Sequence, residues 1–104
     1  MTPEQVKLKE YRAKMATLAD LCDRDGINQY EARDSRPKTG CLPPITRYAR
    51  VVTVGGSDVY VDQTEIRSTR FRTCSRMVCV AESVDAGRRI ADAWVSSIPQ
   101  GWSA

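Results

Sequence analysis

The sequence predicts an α+β fold: an N-terminal helix, a long loop, a three- to four-stranded antiparallel sheet, and a C-terminal helix packed on that sheet. Three observations carry this. Leu8, Tyr11, Met15, Leu18 and Cys22 step by 3, 4, 3 and 4, the spacing of a helical seam. Most of the 10 valines fall between Val51 and Val95, in segments that alternate around a Gly55-Gly56 pair. A second helical pattern then runs from Ser83 to a stop at Pro99. The 104 residues suit one domain, read as helix 3–24, loop 27–45, sheet 46–81, helix 84–98 and tail 99–104.

Each element has a local cause. Thr2-Pro3-Glu4-Gln5 supplies an N-cap, a proline at the first helical position and a glutamine at the third, which together make a capping box. Gly26 ends that helix, and its seam covers either the sheet of its own chain or the same seam of another subunit. Residues 27 to 45 hold Pro37, Gly40, Pro43 and Pro44 among Arg33, Arg36 and Lys38, the texture of a binding or flexible loop. Arg47–Val54 and Asp58–Thr64 flank Gly55-Gly56 as a hairpin, because two glycines supply the positive φ of a tight turn. Thr69–Ala81 reads as one bent strand, or two joined near Cys74-Ser75. Ser83 caps the last helix, which sets Val84, Ile90, Ala91, Trp94 and Ile98 on one face. Trp102 in the tail is a candidate for docking back.

Composition narrows the chemistry. Leu, Ile, Val and Phe number 20 of 104, a thin core that favours partner subunits, so a homo-oligomer is expected. The chain has no histidine, which removes every Ser-His or Cys-His nucleophile and the commonest metal ligand. Cys22, Cys41, Cys74 and Cys79 are spaced by 18, 32 and 4 residues with no two-residue knuckle, so no metal and no cofactor is expected, and the thiols read as reduced. Asp23-Arg24-Asp25-Gly26 fails as a calcium loop, because Leu21 and Ala32 stand where carboxylates are needed. Val54-Gly55-Gly56-Ser57 joins two strands and opens no helix, so it is not a phosphate loop. Glu31, Asp58, Asp62 and Glu65 supply carboxylates without marking an acid/base pair. No apolar run is long enough for a membrane span, and a cytoplasmic, non-enzymatic protein is expected.

The net charge of +3 hides a bias: 12 of 16 cations are arginine, the side chain that grips phosphate with two parallel hydrogen bonds. Residues 1–45 hold 8 cations and 7 anions, and residues 46–104 hold 8 and 6, so the signal is local. Arg67, Arg70, Arg72 and Arg76 form a run with no acid before Glu82. On one extended strand Arg70, Arg72 and Arg76 share a face, joined by Tyr48 and Arg50 of the first hairpin strand, with Arg47 opposite; Arg88 and Arg89 could close the pocket. Like charges in register ask for an anion between them, although Asp58, Asp62 and Glu65 could supply it across the hairpin. Phe71 and Tyr48 offer stacking surfaces for a base, or simple packing.

The order helix, strands, helix, with Ala86, Ile90, Ala91 and Trp94 in the last helix, resembles the double-stranded-RNA-binding domain. That family opens its last helix with a lysine cluster where this chain has Ser83, Val84 and Asp85, and uses a short first loop, so its RNA contacts do not transfer. The short, histidine-free, arginine-rich chain is also similar to small phage-encoded anti-defence proteins that sequester cyclic nucleotide signals. That resemblance implies stoichiometric capture of a phosphate-bearing small molecule by Arg70, Arg72, Arg76, Arg88 and Arg89, with Phe71 or Tyr48 against the base. Two other readings stand beside it: an RNA- or DNA-binding module on the basic sheet face, and a protein-protein inhibitor acting through the first helix or the 27–45 loop.

Overall fold

The computed structural model describes residues 2–99 and has the order α1 (Pro3–Asp25), β1 (Gly26–Arg36), β2 (Ile45–Val54), β3 (Asp58–Arg67), β4 (Thr73–Ala81) and α2 (Val84–Ser96). The four strands make one antiparallel sheet in the order β1-β2-β3-β4, and the fold is α+β with α2 packed on the sheet. The predicted capping box is present, Thr2 Oγ1 accepting from Gln5 N and Gln5 Oε1 from Thr2 N. Gly55 and Gly56 both take positive φ, 66° and 80°, as the β2–β3 turn requires.

Consecutive residues Val51 and Val52 are both fully buried, so each face of the sheet is covered. On one face Ala49, Val51, Val59, Val61 and Ala81 meet Ala91 and Val95 of α2. Gly87 makes that approach possible, since a Cβ there would lie 2.9 Å from Val51 Cγ1. On the other face Cys22 packs on Val52 and Val78, with Leu18, Ala19, Val54 and Tyr60 around them. Only the last two turns of α1 take part: Leu8 and Tyr11 are 49% and 51% exposed, so the seam covers the sheet over less than half its length.

The expected 27–45 loop is corrected. Residues 26–36 form β1, and the loop shrinks to 37–44. β1 is an edge strand with a bulge between Asn28 and Tyr30, and most of its side chains stay in water, so it shows no apolar alternation to read. The expected 69–81 strand starts only at Thr73, residues 68–72 being a bend. α2 stops at Ser96, where Ser97 N caps Trp94 O, rather than running to residue 98. Trp102 lies outside the described residues. Among those described, no helix is long and apolar enough to cross a membrane.

Candidate functional site

The arginines expected in one pocket occupy four settings. Arg50 and Arg76 lie on the α1 face, and their anions are the protein's own. Arg50 Nε donates to Asp62 Oδ2 at 2.7 Å and Nη2 to Asp23 Oδ1 at 2.6 Å. Arg76 donates from Nε and Nη2 to Asp62 at 2.8 and 2.7 Å, and from Nη1 and Nη2 to Asp23 at 2.9 Å each. Two guanidiniums and two carboxylates close a network that pins α1 to β2, β3 and β4. Hairpin register sets Arg50 opposite Asp62, whereas Asp23 arrives from the helix and is not legible from spacing.

The hydrogen bond from Arg76 is the largest influence on Asp23 and, with the Arg50 bond, lowers its pKa to about 2 from 3.8 despite some desolvation. Burial pushes Glu65 up, but the Arg47 and Arg67 bonds outweigh it and Glu65 too sits low. A depressed folded-state pKa adds stability above the unfolded value, and that stability is lost as pH falls toward the folded one. Stability is therefore expected to drop between pH ~4 and ~2. Asp23 is 54% exposed, so its share after screening is no more than about 1 kcal/mol. Urea midpoints measured from pH 7 to 2 check this, and a midpoint that rises on acidification would contradict it.

Arg47 lies on the α2 face, where Nε donates to Glu65 at 2.8 Å and Nη1 to Trp94 O and Ser97 Oγ at 2.8 and 2.7 Å. Its guanidinium also sits 4.9 Å from the Trp94 ring centroid. It therefore neutralises the carbonyl end of α2. Arg88 lies 4.7 Å from the Tyr30 ring centroid, and Tyr30 donates its hydroxyl to Asp92 at 2.5 Å. Arg89 is exposed on α2 and, among the described residues, forms no ion pair. Tyr48 is half-buried on the α1 face, where burial and a hydrogen bond to Glu31 push its pKa up to about 12. None of these six residues, Arg47, Tyr48, Arg50, Arg76, Arg88 and Arg89, lies with Arg70 and Arg72 on the 68–72 bend, so the expected arginine cluster is corrected: Arg76 is on a strand, four residues beyond Arg72 in sequence but turned to the α1 network.

That bend lies at the same sheet end as the 37–44 loop, and the two enclose a cleft of about 320 Å³. Lys38, Cys41, Leu42, Pro43, Pro44, Ser68, Thr69 and Arg70 line it, with no carboxylate among them. The walls are braced. Thr39 and Leu42 exchange backbone hydrogen bonds around Gly40, whose φ is 57°, and Ser68 N donates to Pro44 O at 3.1 Å. Arg36, 3% exposed, donates to Pro43 O at 2.5 Å and to Pro99 O, while its Nε has no partner. Among the described residues Arg36 meets no carboxylate, and its guanidinium is held by the carbonyl of Pro43, which lines the cleft, and by that of Pro99. Phe71 is 76% exposed, with the Arg70 guanidinium 5.9 Å from its ring centroid.

Of the arginines and aromatics that the sequence singles out, Arg70 lines this cleft, with Phe71 and Arg72 next to it on the bend; Lys38, Ser68, Thr69 and Arg36 are not among those candidates. Nothing brings the two loops together until β1 is recognised as a strand. The four cysteines are free thiols, and no cluster of three or more potential metal ligands occurs among the described residues. The chain matches no protein-family model, no curated protein and no solved structure.

Proposed function

We propose that this chain is a non-enzymatic binding protein that captures a phosphate-bearing small ligand, a nucleotide such as a cyclic nucleotide signal, in the cleft between residues 37–44 and 68–72. The observation that carries the reading is the carboxylate-free rim of Lys38 and Arg70 beside buried Arg36, which among the described residues meets no carboxylate. Arg70 would take a phosphate with a forked pair of hydrogen bonds, Lys38 with a point charge, and Ser68 and Thr69 with hydroxyl donors. The exposed ring of Phe71 offers a face on which a base can stack. Arg47, Arg50 and Arg76 hold the scaffold and do not reach the ligand.

Calorimetry against inorganic phosphate and cyclic mono-, di- and trinucleotides tests this. Arg70→Ala is expected to weaken binding by about 10- to 100-fold, the worth of hydrogen bonds to a charged group. Phe71→Ala should cost about fivefold, and Arg89→Ala should change nothing. No heat from any member, or undiminished binding by Arg70→Ala, would sink the proposal. An affinity confined to oligonucleotides and falling steeply with salt would replace it with the nucleic-acid reading.

A further inference from the structure

The two edges of the sheet are not alike. β1 carries a bulge and the charges Glu31, Arg33 and Asp34, devices that keep an edge from pairing. β4, Thr-Cys-Ser-Arg-Met-Val-Cys-Val-Ala, has one charge, no proline and no bulge, and leaves Met77 and Val80 exposed, the latter at 66%.

α1 supplies a second unfinished surface. Its 23 residues span about 34 Å, roughly twice the width of a four-stranded sheet. The helix runs into β1 at its C-terminus and touches all four strands, although only Leu18, Ala19 and Cys22 join the core. The axis therefore crosses the sheet from the β1 edge, and its first half overhangs β4, bearing exposed Val6, Leu8 and Tyr11. The radius of gyration, 15.5 Å, exceeds the about 13 Å of a compact chain this long, as an overhang requires.

We infer that the β4 edge and the overhanging half of α1 form a two-fold interface with a second copy of this chain, β4 pairing antiparallel with β4 about Met77. That centre pairs all nine strand residues, Thr73 with Ala81 at the ends. It sets Arg76 opposite Val78, so the two arginines never face each other. It also decides where the helix lands. On β4 it is Val78 that α1 buries, while Val80 stays 66% exposed, and the two-fold about Met77 sets that level opposite Arg76 of the partner subunit. The arm then points to the row where Tyr48, Thr64 and Arg76 pair, beside a hollow of about 280 Å³ lined by Arg33, Thr46, Tyr48, Thr64 and Ile66. Each copy offers one arm and one hollow, and an isologous dimer satisfies both at once.

The test is the mass of the protein in solution, by light scattering on a sizing column, together with a cross-link. The wild type is expected to run as a dimer. Val80→Lys, and separately Leu8→Glu with Tyr11→Glu, should weaken dimerisation at least about tenfold with unchanged far-ultraviolet dichroism, since these side chains are exposed. In a Cys41→Ser background, Val80→Cys should cross-link on oxidation to Cys74 of the partner subunit. The same bond cannot form within one strand, where six residues separate the two by about 20 Å. A monomeric wild type, a dimer indifferent to these substitutions, or no 74–80 cross-link in a dimer would overturn the proposal.

Discussion

Asp62→Ala is expected to lower the free energy of unfolding by about 3 kcal/mol, the larger of the two stability losses foreseen for this fold. Asp62 is 3% exposed and accepts three hydrogen bonds of 2.7 to 2.8 Å, one from Arg50 and two from Arg76. Removing it leaves both guanidiniums with only Asp23. The loss sits at the lower end of the range for a broken buried pair because Arg50 and Arg76 keep some contact with water. For a chain of this length the melting temperature would fall by roughly 12 to 20 °C. Urea unfolding with an unchanged slope measures it, and a loss below about 1 kcal/mol would show that the network is solvated and worth no more than a surface pair.

Gly26→Ala comes second, at about 2 to 3 kcal/mol. Gly26 joins α1 to β1 with φ −81° and ψ 143°, values open to any residue, so the cost is steric. A Cβ there would stand 2.3 Å from Val52 Cγ1 and 2.4 Å from the carbonyl oxygen of Cys22. Val52 is fully buried, and the oxygen belongs to the last turn of the helix, so neither can step aside cheaply. Relief means lifting α1, which loosens Cys22 from Val78 and Asp23 from its arginines. Chemical denaturation would detect the loss. A mutant within about 0.5 kcal/mol of wild type would mean that the helix-strand junction yields and α1 is not held at Gly26.

Much of the fold was legible because its signals are local: the Thr2 box, the Gly55-Gly56 turn and the Ser83 cap each act within four residues. The hairpin register then follows, and with it the pairing of Arg50 with Asp62 and Arg47 with Glu65. β1 was illegible because only Tyr30 and Ala32 pack against the core around it, too few to draw an alternation. The candidate site suffered twice. Residues 68–72 contain no glycine or proline to announce a bend, so Arg70 and Arg72 read as strand and gained Arg76 as a false neighbour. Arg36 closes a strand that the pattern does not reveal, Lys38 stands in the loop after it, and their nearness to Ser68 and Thr69 depends on two turns falling at one end of the sheet.

The strand order has a consequence for how the chain finds this structure. Every ladder joins neighbours in sequence, through connections of 37–44, 55–57 and 68–72, so no pairing waits on the closure of a long chain segment. The meander can zip outward from the glycine turn at little entropic cost, and sheets built this way fold faster than those with distant partners. The polar links span far wider separations: Asp23 to Arg76, Tyr30 to Asp92 and Arg47 to Trp94 O join residues 53, 62 and 47 apart, so each carries a larger closure cost. If the ties close after the meander, removing one by Asp23→Ala is expected to speed unfolding more than it slows folding, which stopped-flow kinetics would measure.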